Sequence, residues 1–377
     1  MDRIWLSSPH MGGKEQDFVQ EAFETNWIAP LGPHVDGFEQ DIADHTRCGY
    51  VSALSSGTAA IHLALILLGI KAEDYVLCSS FTFSATANPI KYLGAKPVFI
   101  DSEKDTWNMC PDTLEKALRD LESKKIKPKA LILVHLYGMP AKMDEIMSIC
   151  NRYKIPVIED AAEALGSTYK GKAMGTFGTL GVYSFNGNKI ITTSSGGALV
   201  SKDQAMTQKA TFLATQARDN AAHYEHSVIG YNYRMSNVCA GIGRGQILVL
   251  DERVKARRAM NSFYRTIFKD IPGIQFLNEI EHAFSNYWLT TILIDEQIAG
   301  FDREAFRLHL LKSNIECRPL WKPMHLQPVF EHELAYENGC SEVLFRDGLC
   351  LPSGSNLSDN ERDRIKNSIL ELIKVSC

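Results

Sequence analysis

Short apolar segments of strand length alternate with segments of helical periodicity between residues 50 and 160. The strand-like segments are 50–54, 75–78, 97–101, 130–134 and 157–160, and the helical ones are 59–68, 85–93, 111–122 and 144–153. Parallel strands must be joined by crossovers, and helices are the usual crossovers. The alternation therefore predicts an α/β fold with a mainly parallel sheet between helices, and a ligand site where the strands end.

The length of the chain predicts a second domain. A chain of 377 residues exceeds the size at which a single hydrophobic core usually keeps growing. We expect a large domain over residues 1–250, which includes the N-terminal segment, and a smaller C-terminal α/β domain over residues 251–377. One helix over residues 237–268 is predicted to lead from the first domain to the second.

Composition limits the partners and the compartment. The formal net charge is −5 and no run of lysine or arginine offsets it, whereas nucleic acids and anionic membranes call for a basic surface. Neither a signal peptide nor a bilayer-spanning stretch is evident. The nine cysteines show no CxxC spacing, so neither a zinc site nor a disulfide framework is predicted. We expect a cytoplasmic protein that binds no nucleic acid, no membrane and no metal.

Two polar segments follow the strand-like runs at 157–160 and 182–185. The first run ends on Glu159 and Asp160, and the second opens into a loop whose only cation is Lys189. A carboxylate and a lysine that end neighbouring strands suit pyridoxal phosphate, because the lysine binds its aldehyde and the acid keeps its ring nitrogen protonated. Taken alone, such an acid is more often a helix cap or an ion-pair partner, and such a lysine is more often only solvated.

Small hydroxyl residues and a glycine, Ser56, Gly57 and Thr58, precede the apolar helix predicted at 59–68. The free N–H groups and the positive end of the helix dipole make such a start a binding site for phosphate, although simple N-capping explains the same residues. Phe83 could stack on a planar cofactor, whereas a lone phenylalanine more often belongs to the core.

Three further segments carry less decisive signals. The apolar loop at 26–32 is interpreted as a wall of the active site, a subunit interface or a segment packed over the core. Residues 318–325 set Arg318 and Lys322 among proline and tryptophan, which suits a pyrophosphate or an ordinary surface. The glycines at 241, 243 and 245 lie inside a helical pattern and lack the GxGxxG spacing, so a dinucleotide-binding turn is rejected.

Together these segments resemble the DegT/StrS family of nucleotide-sugar aminotransferases, which are fold type I pyridoxal-phosphate enzymes. Residues 56–58, 81–83, 159–166, 184–189 and 230–236 carry the resemblance in chain order, and it spans nearly the whole chain. Residues 26–32, 215–226 and 318–325 are similar to those of the UDP-4-amino-4,6-dideoxy-N-acetyl-glucosamine transaminases, which make the bacillosamine precursor of bacterial glycans.

The resemblance implies roles for single residues. Lys189 is expected to bind the cofactor and to move the proton in the transfer step, and Asp160 to pair with the ring nitrogen. The implied cofactor contacts are Ser56, Gly57, Thr58, Phe83, Asp160, Glu163, Ser184, Lys189 and Asn232, and the implied substrate contacts are Asn26, Trp27, Asn186, Arg318 and His325. Many family members carry Gln or His in place of Glu163, so its role is open. Asn232 is expected to reach the cofactor of a second subunit, which implies a homodimer with shared active sites.

The implied reaction moves the amino group of L-glutamate, through the pyridoxamine form of the cofactor, to a UDP-linked 4-keto-6-deoxy sugar. Four alternatives are open. The enzyme could make the isomeric 4-amino sugar or use another nucleotide-linked keto sugar. The chain could be a related dehydratase, although these carry histidine where this chain has Lys189. It could also be a non-catalytic regulator that binds pyridoxal phosphate, or an unrelated nucleotide-binding α/β module.

Overall fold

The structure is a computed structural model that describes the backbone of residues 2–376 and the side chains of residues 2–374. Its helices are α1 (Glu15–Glu24), α2 (Pro33–Thr46), α3 (Gly57–Leu67), α4 (Ser84–Tyr92), α5 (Pro111–Ser123), α6 (Met143–Tyr153), α7 (Gln204–Ala214), α8 (Asn237–Ile247), α9 (Leu250–Ile267), α10 (Glu296–Ala299), α11 (Arg303–Lys312), α12 (Cys340–Asp347) and α13 (Asp359–Ser376). Within this part of the chain, none of them is long and apolar enough to cross a membrane.

The strands are short and spread over the whole chain. They are β1 (Tyr50–Leu54), β2 (Tyr75–Ser79), β3 (Lys96–Ile100), β4 (Ala130–Val134), β5 (Val157–Asp160), β6 (Thr168–Tyr169), β7 (Lys172–Ala173), β8 (Leu180–Ser184), β9 (Gly197–Ser201), β10 (Ile274–Phe276), β11 (Ala283–Phe284), β12 (Thr290–Ile294), β13 (Arg318–Pro319), β14 (Leu334–Tyr336) and β15 (Gly348–Leu351). Short 3₁₀ helices lie at Leu136–Gly138, Met324–Leu326 and Pro328–Phe330.

The main sheet of the described chain has eight strands in the order β1, β9, β8, β5, β4, β2, β3, β14. All neighbouring pairs from β8 to β14 are parallel, whereas β9 is antiparallel to both β1 and β8. Strand β4 is buried throughout: Leu131 and Leu133 join the apolar core on one face, and Ala130 and Ile132 join the core on the other. The predicted α/β fold with a mainly parallel sheet between helices is confirmed.

The strands that carry the polar segments are neighbours in this sheet. Strand β5 runs parallel to β8 with Asp160 opposite Val182, so both strands end at the same edge. Strand β1 is antiparallel to β9, which is antiparallel to β8, and β1 therefore ends at this edge too. The start of α3, the end of β5 and the loop after β8 are thus brought together.

The C-terminal residues build a second, antiparallel sheet in the order β10, β12, β15, β13. Helices α9, α11 and α13 contribute Tyr264, Phe306 and Ile365 to a separate apolar cluster. Two segments cross the predicted boundary at residue 250, since Ile4 belongs to this cluster and β14 pairs with β3 of the main sheet. The division into domains at residue 250 stays a prediction.

The single helix predicted over residues 237–268 is wrong. Helix α8 ends at Ile247 and α9 begins at Leu250. Asp251 and Glu252 lie in the first turn of α9, where carboxylates stabilise the start of a new helix. The α8 glycines permit close packing, because a Cβ atom on Gly245 would lie 2.6 Å from the backbone nitrogen of Glu15 in α1.

Candidate active site

A cleft of about 1040 Å³ opens where the strands of the main sheet end. Its lining combines these strand ends with residues from the segment 316–330 and from the N-terminal segment 5–9. Ten of the predicted site residues line it. They are Ser56, Gly57, Thr58, Phe83, Asp160, Glu163, Ser184, Asn186, Lys189 and Arg318. Segments that are far apart in the sequence are therefore assembled around one cavity.

Asp160 is buried at the end of β5 and lines the cleft. Its Oδ2 atom accepts a hydrogen bond of 2.7 Å from the hydroxyl of Thr86, and its Oδ1 atom accepts one of 3.2 Å from the N–H of Ala162. The hydroxyl of Thr82 lies 2.8 Å from that of Thr86. Bonds from both sides fix the orientation of the carboxylate.

Lys189 and Glu163 form a pair beside Asp160. The Lys189 Nζ atom lies 3.1 Å from Oε1 of Glu163, and their side chains are only 12% and 4% exposed. The other Glu163 oxygen accepts a 2.7 Å hydrogen bond from the N–H of Tyr137. Burial raises the pKa of Glu163 above its ordinary value, and the charge of Lys189 opposes this shift. The amine thus has an acceptor that holds a proton more readily than an exposed glutamate does.

The residue before Lys189 is held by its carbonyl group. The Asn188 oxygen accepts two hydrogen bonds of 2.7 Å, from the Ser7 hydroxyl and from the Trp288 indole N–H. The Trp288 ring also lies under the amine, with Nζ of Lys189 4.3 Å from the ring centroid. The buried Arg257 donates to the Trp288 carbonyl at 3.0 Å and to the Ser7 hydroxyl at 2.8 Å. These contacts restrict where the amine of Lys189 can lie.

The start of α3 faces the cleft as a cradle of backbone atoms. Ser56 caps the helix, because its hydroxyl oxygen accepts the N–H of Ala59 at 3.0 Å. A Cβ atom on Gly57 would lie 3.1 Å from Cβ of Ser184, and one on Gly197 would lie 2.3 Å from the Ser56 carbonyl carbon. Ser56 therefore acts as the N-cap while the helix start also presents N–H groups to an anion.

The aromatic side of the cleft is open. Phe83 is 57% exposed, and its ring centroid lies 5.5 Å from that of Trp321. Phe83 is therefore a surface of the cleft and not part of the core.

This set of groups fits pyridoxal phosphate. A helix start without bulky side chains suits the phosphate, the exposed ring of Phe83 suits stacking, the held carboxylate of Asp160 suits the ring nitrogen, and the buried amine of Lys189 suits the aldehyde.

Four predicted site residues do not line the cleft. Asn26 and Trp27 follow α1 and are exposed. Asn232 is exposed as well, and its side-chain oxygen accepts a 3.2 Å hydrogen bond from Gln216. His325 lies behind the wall of the cleft, where its Nδ1 atom is 2.6 Å from the hydroxyl of Ser80. Arg318 does line the cleft, but its Nε atom donates to Glu316 at 2.8 Å.

Thr86, Trp288 and the N-terminal segment 5–9 line the cleft but are not predicted as site residues. Thr82 and Thr86 are four residues apart, a spacing that brings side chains together on a helix, so this pair carried a usable signal. Trp288 and Ser7 reach Asn188 from positions 100 and 181 residues away, and no local pattern indicates such contacts.

Comparisons with known proteins agree with this geometry. The sequence profile of the DegT/DnrJ/EryC1/StrS aminotransferase family matches residues 9–370. EpsN of Bacillus subtilis (strain 168), which is named as a pyridoxal phosphate-dependent aminotransferase, is 53% identical over 374 residues that cover 98% of this chain and 96% of EpsN. GDP-perosamine synthase of Escherichia coli O157:H7 is 37% identical over 371 residues, covering 98% and 99% of the two chains.

A solved structure extends the likeness to three dimensions. The aminotransferase TlmJ from Streptoalloteichus hindustanus has a TM-score of 0.89 and 28% sequence identity, with 99% of this chain and 100% of TlmJ covered. These relatives do not confirm the narrower resemblance to the UDP-4-amino-4,6-dideoxy-N-acetyl-glucosamine transaminases, which stays a prediction. The chain belongs to the DegT/DnrJ/EryC1/StrS aminotransferase family, whose members are sugar aminotransferases that depend on pyridoxal phosphate.

Proposed function

We propose that this aminotransferase moves the amino group of L-glutamate to the C4 keto group of UDP-2-acetamido-2,6-dideoxy-hexos-4-ulose, giving UDP-4-amino-4,6-dideoxy-N-acetyl-glucosamine. The observation that carries the amino-transfer chemistry is the buried pair of Lys189 and Glu163 beside Asp160 in one cleft. The predicted cytoplasmic location is part of this proposal.

Each polar group of the cleft has a task in this reaction. Bound pyridoxal phosphate would supply an electron-withdrawing ring for the carbon that loses or gains a proton. Lys189 would hold the cofactor and then carry that proton as a general base and acid. Asp160, held by Thr86, would place its negative charge beside the ring nitrogen. Glu163 would keep the released amine of Lys189 close to the reacting carbon and accept one of its N–H bonds.

The mouth of the cleft suits a nucleotide sugar. Arg318 and Lys322 both line it, and the side chain of Arg318 is 68% exposed. A guanidinium group has five N–H donors, so donors remain for a phosphate although Glu316 accepts one of them. A cavity of about 1040 Å³ is also far larger than an amino acid needs, as expected for a site that receives two substrates in turn.

A GDP-linked keto sugar is the second candidate acceptor, because GDP-perosamine synthase is a relative at 37% identity. The purified enzyme, loaded with pyridoxal phosphate and given L-glutamate, should be offered the UDP-linked and a GDP-linked 4-keto sugar separately. We expect NMR to show the UDP-linked 4-amino sugar with the gluco configuration. Amination of the GDP-linked sugar alone, or formation of only the C4 epimer, would contradict the proposed substrate while leaving the amino-transfer chemistry intact.

We further propose a homodimer in which Asn232 contacts the cofactor phosphate of the partner subunit. The exposure of Asn232 outside its own cleft supports this arrangement. Exposed apolar side chains near it in sequence, Val228 and Ile229, also favour a subunit contact there.

A complementation experiment tests the shared site. The Lys189→Ala and Asn232→Ala chains, each inactive alone, should be mixed, unfolded and refolded together. A mixed dimer then has one site that carries both substitutions and one that carries neither, so about a quarter of the wild-type activity should return with random pairing. If the mixture is no more active than the two parents, Asn232 does not serve a second subunit.

A further inference from the structure

We propose that His325, Glu337 and Glu342 form a binding site for a divalent transition-metal ion, and for Zn²⁺ in particular. One imidazole nitrogen and two carboxylate oxygens of these residues all lie within 4.8 Å of one another. The three side chains come from three different elements, namely the 3₁₀ helix Met324–Leu326, the segment after β14 and the first turn of α12. The site is separate from the amino-transfer chemistry.

The imidazole of His325 carries the strongest sign that a ligand is expected. The residue is only 9% exposed, and within residues 2–374 its Nε2 atom is buried without a hydrogen-bond partner. The nearest carboxylate oxygen, Oε1 of Glu342, lies 3.7 Å away, which is too far for a hydrogen bond. Buried polar atoms without partners are rare and call for an explanation.

The other ring nitrogen is already fixed. Nδ1 of His325 lies 2.6 Å from the hydroxyl of Ser80, and this hydroxyl can accept the Nδ1 proton. The lone pair of Nε2 is then directed toward the two carboxylates. Histidine ligands of metals usually have their second nitrogen held in this way.

The donor set and its spacing suit Zn²⁺. Imidazole nitrogen and carboxylate oxygen bind this ion at about 2.0–2.2 Å, so two ligands of one tetrahedral ion are about 3.4 Å apart. The separation of 3.7 Å between His325 and Glu342 is close to that value. Glu337 and Glu342 are exposed, so their side chains can adjust, and water can fill the remaining position.

The position of the site gives the ion a structural consequence. Met324 and Gln327, on either side of His325, line the cleft. The N–H of Met324 also donates to the Ser80 carbonyl at 2.7 Å. A bound ion would therefore tie this wall of the cleft to α12 and to the segment after β14, and its binding should stabilise the folded enzyme.

The test uses the full-length holoenzyme without a histidine tag. The protein is stripped with a chelator, dialysed and titrated with Zn²⁺ by calorimetry, and the retained metal is measured by mass spectrometry. We expect one ion per chain and a higher melting temperature with Zn²⁺. The double variant Glu337→Gln/Glu342→Gln should bind Zn²⁺ at least about 100-fold more weakly and should show no rise in melting temperature, and Ser80→Ala should weaken binding about 10-fold.

The chain offers a matched control on the same segment. His332 and Glu331 form an exposed pair whose Nε2 and Oε1 atoms lie 3.5 Å apart, so this pair has a similar spacing without burial. The double variant His332→Gln/Glu331→Gln should bind Zn²⁺ as tightly as the parent. The proposal is overturned if Glu337→Gln/Glu342→Gln keeps the parent's affinity, or if the control loses as much affinity as the site variant. Should the site double variant fail to fold, the two single variants decide in the same way.

Discussion

The amine of Lys189 lies 3.1 Å from Oε1 of Glu163, and this carboxylate is almost fully buried. Burial raises the pKa of Glu163 although Lys189 and the N–H of Tyr137 oppose the shift. A carboxyl group whose folded-state pKa lies above its unfolded value contributes stability that is present below the unfolded pKa. This contribution is lost as the pH rises through the folded-state pKa.

The Glu163→Gln variant lacks this titration. Relative to the wild type, its free energy of unfolding should therefore rise as the pH increases from below 4.5, the ordinary glutamate pKa, through the raised value. Urea unfolding of the cofactor-free proteins at a series of pH values measures this difference. A difference that does not change with pH would show that Glu163 titrates normally in the fold.

The hydroxyl of Thr86 should be worth more than an ordinary buried hydroxyl, because it donates to the Asp160 carboxylate at 2.7 Å. Replacing Thr86 with Val keeps the shape and leaves that oxygen without its donor, so we expect a loss of about 1–3 kcal/mol in the free energy of unfolding. The affinity for pyridoxal phosphate should fall as well. Denaturant unfolding and cofactor titration measure both effects.

Thr291 is a matched control for this substitution. Its side-chain oxygen is buried without a hydrogen-bond partner in the described part of the chain. Thr291→Val should therefore be neutral or slightly stabilising. Equal losses for Thr86→Val and Thr291→Val would mean that the bond to Asp160 contributes nothing specific.

The architecture was predictable because its signals are local. A strand buried on both faces is a continuous apolar run, and the segments predicted at 50–54 and 130–134 coincide with β1 and β4. Helix α2 was not predicted although Pro33 occupies its first turn, a known start signal. The break between α8 and α9 was also missed, because it depends on acidic residues within an otherwise helical pattern.

The candidate site was predictable only where its residues end strands or begin helices. Asp160, Ser184 and Gly57 lie at such positions, and the order of the strands then brings them to one cleft. The contacts of Asn188 with Ser7 and Trp288 join distant parts of the chain. Packing decides such contacts, and a pattern within one segment does not contain them.

Gly197 should be intolerant of a side chain. A Cβ atom there would lie 2.3 Å from the Ser56 carbonyl carbon, and backbone cannot move aside as a flexible side chain can. Gly197→Ala should therefore displace the start of α3, weaken the binding of pyridoxal phosphate and cost about 1–3 kcal/mol of stability.

Gly187→Ala is the steric control, because its Cβ would meet only Pro9, at 3.8 Å. This variant should bind the cofactor like the wild type in an absorbance titration. If Gly197→Ala also binds pyridoxal phosphate normally, then the close approach of Gly197 to the helix start does not shape the phosphate site.

The two hydrogen bonds to the Asn188 carbonyl should be coupled. Ser7→Ala or Trp288→Phe alone leaves one donor of the pair, whereas the double variant leaves none. We expect the double variant to lose about fivefold more amino-transfer rate than the product of the two single effects, which corresponds to about 1 kcal/mol of coupling. Steady-state rates of the four proteins complete the cycle, and effects that simply multiply would show that the two donors act independently.

The central claim is that Lys189 holds the cofactor. Lys189 and Lys322 are the lysines that line the cleft among the described residues, so Lys322→Ala is the matched control. The holoenzymes should be reduced with borohydride, digested and mapped by mass spectrometry. The account predicts a pyridoxyl label on Lys189 in the wild type and in Lys322→Ala, and no label in the cleft of Lys189→Ala. A label on Lys322, or an unlabelled Lys189 in an active enzyme, would contradict it.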